Sequence, residues 1–315
     1  MAQHFLLSAK ARTLSLGAIM RMSDDDAHAR FQAIRFADNG GEPFCPRCEC
    51  TTIYTMTTRR LWKCKECRYQ FSVTSGTIFA NRKLAIRDYL AATAIFVNAV
   101  KGISVLQLGR DLGTQYKTAF VLAHKLREAM TAEQMQGGLS GVIEVDGAFF
   151  GGHTKQENVK AERKDRRLAV PASRQSVVVV REREGRTLPF VVAREADGVA
   201  LVRQVVAMGS IVHADEAGGW DALHAHYEMR RINHTVAFSR DGACTNQAES
   251  YFSRLRRAKM GQHHHISSKY LGFYASEMVW REDRRRVPNG ALHQAVTAAA
   301  LGHPVSRVWA GYWQR

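Results

Sequence analysis

The sequence predicts a multidomain α/β protein, and three observations support this fold class. Five of the six cysteines lie within residues 45–67, which predicts a small metal-bound β module. The next stretch, 83–130, carries apolar residues at helical spacing. From residue 141 onward, short apolar runs alternate with glycine turns and amphipathic segments, as strands and helices do in an α/β domain.

Charge and hydropathy restrict the class of function. The chain of 315 residues has a formal net charge of +16, from 45 Lys and Arg against 29 Asp and Glu. This balance favours a polyanionic partner, so we expect nucleic acid. No apolar run approaches the roughly 20 residues that a membrane-spanning helix needs, so no membrane partner is expected. Residues 1–43 are expected to form an arm and a helix, with Met22 as an alternative start.

The cysteines predict a zinc ribbon over residues 44–72. The stretch "CPRCECTTIYTMTTRRLWKCKEC" contains two C-x-x-C pairs, and the β-branched and aromatic residues between them are typical of a hairpin. Two such pairs on adjacent turns complete a tetrahedral thiolate site that leaves no open position, so the expected zinc is structural. The expected ligands are Cys45, Cys48, Cys64 and Cys67. Cys50 is expected to be a non-ligand, with exchange for Cys48 as the alternative.

The segment 83–130 predicts a helix followed by a helix-turn-helix. Ser104 can cap a short helix, Gly113 makes the turn, and a second helix follows over 115–130. The shared core is expected to contain Leu106, Leu112, Ala119, Leu122 and Leu126. Base-reading residues are expected at the exposed start of the second helix: Gln115, Tyr116, Lys117 and Thr118. An ordinary helical hairpin is the alternative interpretation.

The order of elements after the linker predicts a ribonuclease-H-like α/β domain over 141–290. A strand "GVIEVDGAFFGG" carries Asp146, a hairpin turns at Glu184 and Gly185, and "DGVALVRQVVAMG" predicts a crossover helix. A strand in "SIVHADEAGGW" then ends near Asp215, and a short strand is expected near "HTVAF". Residues 291–315 are expected to be a C-terminal tail.

A helix in "GACTNQAESYFSRLRRAK" can add a third carboxylate to this domain. At helical spacing, one face is apolar and packs on the sheet: Ala248, Tyr251, Phe252 and Leu255. The opposite face is polar: Asn246, Glu249, Ser253, Arg256 and Arg257. Groups at the ends of neighbouring strands meet at one edge of a sheet, so Glu249 can join Asp146 and Asp215 there. Their mutual repulsion is relieved by a hard divalent ion, Mg²⁺ or Mn²⁺. Glu144 and Glu216 compete with the two aspartates on residue pattern alone.

Together these motifs resemble bacterial insertion-sequence DDE transposases with an N-terminal zinc ribbon and helix-turn-helix, which are related to the Merlin elements. The resemblance covers about residues 44–286 and is carried by "CPRC" and "CKEC", "IEVDGAFFGG", "VHADEAGGWDAL", "TNQAESYFSRLRRAKMGQHHHISSKYL" and "EMVWREDRR". It implies a set of catalytic carboxylates and one further polar residue: Asp146, Asp215, Glu249 and Asn246. It also favours Asp146 over Glu144. One departure is Gly147, where many relatives carry an acidic residue.

The resemblance implies a cytoplasmic bacterial enzyme that binds double-stranded DNA, both at the element's terminal repeats and at the target. It would cut and join this DNA with Mg²⁺ or Mn²⁺, and would act as a homo-oligomer because two ends are processed together. Expected DNA contacts beyond the helix-turn-helix are Arg254, Arg256, Arg257, Lys259, His263 and His264. The alternatives are a catalytically inactive transposase-derived DNA-binding protein and a structure-selective ribonuclease-H-like nuclease.

Overall fold

The protein is described here by a computed structural model that covers residues 4–56, 58–135, 137–151, 157–163, 174–233, 239 and 242–314. The chain divides into two compact units, Met1–Glu133 with Arg284–Arg315, and Gln134–Asp283. The N-terminal elements are α1 (Leu16–Met20), α2 (Asp24–Arg35), β1 (Ile53–Met56), β2 (Leu61–Cys64), β3 (Gln70–Phe71), α3 (Ile86–Asn98), α4 (Val105–Asp111) and α5 (Tyr116–Gln134).

The later elements follow in chain order: β4 (Val142–Phe150), β5 (Gln175–Glu182), β6 (Thr187–Val192), α6 (Gly198–Val205), β7 (Ile211–Asp215), β8 (Glu228–Ile232), α7 (Asn246–Ala258), α8 (Leu271–Asp283) and α9 (Asn289–Gly302). Short 3₁₀ helices lie at Phe5–Leu7, Ala9–Ala11, Ala37–Asn39, Lys160–Glu162, Glu195–Asp197, Gly218–Ala225, Ser268–Tyr270 and Tyr312–Gln314, and a π-helical turn at Lys259–His263.

The first three strands form a small antiparallel sheet in the order β1-β2-β3. The hairpin predicted between the cysteine pairs is confirmed, with Ile53 opposite Cys64. Trp62 and Phe71 pair across β2 and β3 and are buried. Phe36, at the end of α2, packs edge-on against Trp62 with 6.0 Å between ring centroids. Aromatic packing therefore compensates for a sheet that is too small to bury a core by itself.

Helices α4 and α5 follow the predicted helix-turn-helix, but α5 continues to Gln134, four residues beyond the predicted end at residue 130. The Ser104 hydroxyl accepts a hydrogen bond from the Gln107 amide at 3.2 Å, which caps α4. Gly113 adopts a φ of 62°, and α5 begins three residues later. A left-handed φ of this kind favours glycine, so Gly113, two residues after the end of α4, forms the short turn between the helices.

One predicted core residue of this helix pair is wrong. Leu106 is 53% exposed, whereas Val105 and Leu108 are buried. Because α4 starts at Val105, residues 105 and 108 lie one turn apart on its inner face and Leu106 points outward. Of the remaining predicted core residues, the buried ones are Ala119, Leu122 and Leu126.

The C-terminal residues belong to the same unit as the zinc ribbon, and not to a separate tail over 291–315. Helix α9 contacts α2 and α3. Its buried residues Val296 and Ala300 lie four positions apart on one face. At its start, the Asn289 side chain accepts a hydrogen bond from the Thr13 amide at 2.8 Å. The domain that was expected to extend to residue 290 therefore ends earlier, at Asp283.

A buried histidine in α9 predicts acid sensitivity of this unit. Burial lowers the pKa of His293 to about 4, and its Nε2 lies 3.0 Å from the Leu90 carbonyl oxygen. Because the unfolded state binds a proton first, stability is highest above the ordinary pKa of 6.5 and is lost progressively as the pH falls from 6.5 to about 4. We expect the wild type to lose about 2 kcal/mol more stability than His293→Gln between pH 7.5 and 4.5. Urea unfolding measures this difference, with His303→Gln as a control that should behave like the wild type.

The second unit contains a five-stranded mixed sheet in the order β6-β5-β4-β7-β8. Strands β4, β5 and β6 pair antiparallel, and β7 and β8 run parallel to β4. This is the ribonuclease-H-like arrangement that the sequence predicts. The final strand lies at Glu228–Ile232; the strand expected near "HTVAF" falls at 234–238, outside the described residues.

Helices cover both faces of this sheet. On one face, Ala148 and Val179 pack against α7 and α8; on the other, Val145 and Val178 pack near α6 and Trp220. The apolar face predicted for α7 is confirmed by its buried residues Ala248, Tyr251, Phe252 and Leu255. Alternate residues of β4 therefore face α7 or α6. Within the described chain, no helix is both long and apolar enough to cross a membrane.

Candidate active site and metal centre

Two predicted carboxylates lie next to the point where the parallel pairing of β4 and β7 ends. Val145 of β4 pairs with Ala214 of β7, and the next residues along the two strands are Asp146 and Asp215. Asp215 ends its strand, and its Oδ1 accepts a hydrogen bond from the Ala217 amide at 3.2 Å. The parallel register therefore brings two residues that are far apart in sequence to one edge of the sheet.

The third predicted carboxylate, Glu249, lies in the first turn of α7. The pKa of Asp146 is raised to about 7, first by burial and also by the charges of Asp215, Glu195 and Glu249. A hydrogen bond of 2.8 Å from the Gly147 amide to Asp146 Oδ1 acts in the opposite direction. Asp146 thus lies within electrostatic range of three other acids, and protons or cations bind favourably there.

Glu144 has a different environment from Asp146, although both lie on the α7 side of β4. Glu144 is fully buried, and its Oε2 accepts hydrogen bonds from the Gln247 and Ala248 amides at 2.9 and 3.1 Å. Its Oε1 lies 3.3 Å from Arg183 Nη2. The carboxylate therefore binds the N-terminus of α7, where the helix dipole favours negative charge. Through this contact it sets the position of the turn that carries Glu249.

The other residues that the sequence analysis left open also have defined positions. Glu216, the competitor of Asp215, accepts a hydrogen bond from Asn233 at 2.6 Å. Asn246 is the first residue of α7 and is exposed. It lies one turn before Glu249, so the side chains of both residues project from the same end of the helix.

Glu195 is a fourth acid at this edge, and sequence reasoning missed it. It begins the 3₁₀ turn Glu195–Asp197 before α6. Burial and the charge of Asp215 raise its pKa above the ordinary value. Nothing in its local sequence, an Arg-Glu-Ala-Asp stretch before a helix, distinguishes it from a solvated helix start. Only the packing of that turn on the sheet reveals its proximity to Asp146.

The four predicted zinc ligands form one cluster. One ligand atom from each of Cys45, Cys48, Cys64 and Cys67 lies within 4.8 Å of the others. The Sγ atoms of Cys45 and Cys67 are 3.5 Å apart, as are those of Cys48 and Cys64. Tetrahedral Zn–S bonds of about 2.3 Å require sulfur atoms about 3.8 Å apart, so the cluster fits a structural zinc ion. Cys50 lies outside this cluster.

Within the described residues, the four cysteines are the only group of three or more possible ligands whose ligand atoms all lie within 4.8 Å of one another. Asp146, Asp215 and Glu249 therefore lie further apart than that.

The predicted DNA-contact residues at the start of α5 lie next to aromatic residues near the C-terminus, among them Trp313. Tyr116 is 51% exposed, and Lys117 Nζ lies 5.3 Å from the ring centre of Trp313. A cavity of about 370 Å³ adjoins this contact; the predicted residues among its lining are Gln115, Lys117 and Thr118. The start of α5 therefore carries both a cation and aromatic surface, which suits contact with phosphates and bases.

The basic residues of α7 do not all face solvent. Arg254 Nε lies 2.6 Å from the buried carboxylate of Glu282, so this guanidinium is held in an ion pair. Arg256 and Arg257 are exposed, and Arg257 donates to the Ser253 hydroxyl at 2.6 Å. After α7, Lys259 and His263 bound the π-helical turn, the ring of His263 packs edge-on against Tyr274, and His264 is exposed. Arg256 and Arg257 are thus better placed than Arg254 for phosphate contact.

Comparisons with known proteins identify two domains. A family model described as an ISXO2-like transposase domain matches residues 138–283, and one described as a transposase zinc-ribbon domain matches residues 22–70. A Halobacterium salinarum protein, described as an uncharacterized protein in transposable element ISH50, is 24% identical over 106 residues. That match covers 33% of this chain and 35% of the relative, so the chain spans about a third of the relative's length.

Among solved structures, the crystal structure of the Mos1 strand transfer complex is 12% identical, with a TM-score of 0.25, over 67% of this chain and 78% of that chain. A likeness this weak carries no conclusion. The two family models are more informative, because together they match more than half of the chain. One contains the thiolate cluster and the other contains all four acids of the sheet edge. The chain therefore belongs to the insertion-sequence transposases that combine a transposase zinc ribbon with an ISXO2-like transposase domain.

Proposed function

We propose that this chain binds the terminal inverted repeats of its own element and catalyses metal-dependent DNA cleavage and strand transfer. The observation that carries this proposal is the electrostatic coupling of Asp146, Asp215 and Glu249 at one edge of a ribonuclease-H-like sheet. A buried acid with three acidic neighbours is unfavourable unless cations neutralise it. Carboxylate oxygens are the ligands that Mg²⁺ and Mn²⁺ prefer.

Each acid has a separate contribution in this proposal. Asp146 and Asp215 hold divalent ions from the two central strands, and Glu249 approaches from α7. Bound Mg²⁺ or Mn²⁺ ions supply activation of the attacking oxygen and stabilisation of the leaving oxygen. Glu144 keeps the start of α7 in place, so Glu249 and Asn246 stay at the strand ends.

DNA binding in this proposal uses two regions, one from each unit. The start of α5 contacts the element's ends, and the exposed Arg256 and Arg257 hold phosphates near the cut. The zinc ribbon supplies further positive charge next to the DNA. Both ends of an element must be processed together, so a homo-oligomer, at least a dimer on DNA, is part of the proposal. We further propose that the protein acts in the bacterial cytoplasm.

A strand-transfer assay with the element's own ends and Mg²⁺ tests the proposal. We expect joined products with the wild type and none after EDTA removes the divalent ions. The Glu249→Gln variant should yield at least about a hundredfold less joined product, because the proposed metal site loses one negatively charged ligand. Gel-shift binding of the ends should be unchanged in this variant. A wild type that binds ends but joins nothing indicates the inactive DNA-binding protein. Cleavage without preference for the ends indicates the structure-selective nuclease.

A further inference from the structure

The cavity of about 370 Å³ beside α5 is bounded by three segments of the first unit: the loop that leads into α3, helix α5 and residues 305–314. Binding sites for small molecules commonly enclose about 300 to 1,000 Å³, so this cavity has room for one nucleotide-sized group. Its charged lining residues in the described part of the chain are all lysines: Lys83, Lys117 and Lys125. A lining with cations and no described acid favours an anionic ligand.

The C-terminal segment supplies the aromatic side of the cavity, and packing on α5 fixes its position. The Ser306 hydroxyl accepts a hydrogen bond from the Trp309 amide at 2.9 Å, and the Trp309 side chain is buried. The ring of Tyr312 stacks on Phe120 of α5, with 5.8 Å between ring centres. Trp313 packs edge-on against the same Phe120 at 5.6 Å and is 45% exposed. An exposed indole held in this way is suited to stacking on a base.

Two lysines of α5 place positive charge beside this indole. Lys117, Val121 and Lys125 are spaced four residues apart, so one face of α5 lines the cavity. Lys117 Nζ lies 5.3 Å from the ring centre of Trp313. Burial lowers the pKa of Lys125, and the charge of Glu128 acts in the opposite direction. An anion bound in the cavity would stabilise this partly desolvated ammonium group.

We propose that the cavity binds one unstacked nucleotide of single-stranded DNA, with its base against Trp313 and its phosphates near Lys117 and Lys125. This inference rests on the DNA binding of the proposed function, to which it adds a site for an unpaired nucleotide. The site differs from the predicted reading of duplex base edges, because Tyr116 is exposed at the start of α5 and lies outside the cavity lining. Taking a base out of a duplex is unfavourable, and the cost is lowest where the strand is already single.

Titration of the zinc-loaded full chain with a short single strand that contains one fluorescent adenine analogue tests this site. We expect Trp313→Ala to bind the strand about tenfold more weakly than the wild type, because it loses one base-stacking contact. Lys125→Gln should also bind more weakly. Val308→Ala is the matched control, since Val308 is 42% exposed on the same segment and lies outside the lining; it should bind as the wild type does. Wild-type affinity in Trp313→Ala overturns the proposal.

An abasic strand of the same length separates base stacking from phosphate binding. Against the wild type, it should compete about tenfold less well than the intact strand, and this difference should shrink in Trp313→Ala. Equal competition by the two strands against the wild type would mean that only phosphates are bound, which contradicts the proposal. If the wild type binds paired element ends in gel shifts but does not bind the single strand, this inference fails and the proposed function stands. A wild type that binds neither DNA contradicts both.

Discussion

Replacing Cys64 with serine is expected to unfold the zinc ribbon and to abolish specific binding of the element's ends. Cys64 is fully buried on β2 and is one of four sulfurs in the cluster. Structural zinc contributes about 10 kcal/mol or more of binding free energy to a small domain at neutral pH. The ribbon has only three short strands and an aromatic core, so it cannot lose this contribution and remain folded. Zinc content, measured by atomic absorption, and gel shifts with terminal repeats report both losses.

Cys50→Ser is the matched control for this experiment. Its thiol lies outside the four-sulfur cluster and donates to the Thr52 carbonyl at 3.6 Å. We expect one zinc per chain and wild-type end binding in this variant. Full zinc content in Cys64→Ser, or zinc loss in Cys50→Ser, contradicts the ligand set. If Cys64→Ser loses zinc and still binds the ends with wild-type affinity, the ribbon has no part in DNA recognition.

Glu144→Gln is expected to lower both stability and strand transfer. The substitution leaves Arg183 without its buried partner and weakens the charge at the start of α7. Because Arg183 is partly exposed and keeps contacts to His213 and Cys244, losing the charged hydrogen bonds of Glu144 costs about 1 to 3 kcal/mol. Because α7 also carries Glu249, a shift of about 1 Å in its first turn should reduce strand transfer roughly a hundredfold. Urea unfolding and single-turnover joining at a temperature where the variant is folded measure the two effects.

Glu277→Gln separates the positioning effect from lost stability. Glu277 is fully buried and pairs with Arg281 within α8 at 2.9 Å. Its loss should destabilise the same unit without moving the first turn of α7, so the folded variant should join DNA at nearly the wild-type rate. Equal loss of joining in both variants would mean that Glu144 acts only through stability. Mn²⁺ affinity should also fall in Glu144→Gln and stay unchanged in Glu277→Gln.

The features that sequence could predict are those determined by local spacing. Cys45 to Cys67 share a motif whose turn geometry is local, and the apolar face of α7 follows from helical periodicity alone. The order of strands and helices along the chain follows from successive apolar runs and glycine turns. The convergence of Asp146, Asp215 and Glu249 could be inferred only as an arrangement that the sheet permits, and their catalytic role stays a prediction.

The features that sequence could not predict depend on contacts between distant segments. Glu144 and Asp146 are chemically alike and two residues apart, and only the approach of α7 gives Glu144 its capping role. Glu195 comes near Asp146 because Gly147 leaves space for it. The predicted inner face of α4 was wrong by one residue. Leu106 is as apolar as Val105 and Leu108, so the sequence could not show that Leu106 is exposed and the other two are buried.

Residues 284–315 follow the second unit in sequence but belong to the first unit, so the first unit cannot be completed until the ribosome has made the whole chain. The second unit is continuous in sequence, so its fold can form while translation proceeds. The first unit is discontinuous, because α9 supplies part of the surface against which α2 and α3 pack. Domains fold as units once their residues have emerged. A chain released after residue 283 therefore contains every proposed catalytic carboxylate but lacks the helix that completes the zinc-ribbon unit, so interrupted translation separates the capacity for chemistry from end recognition.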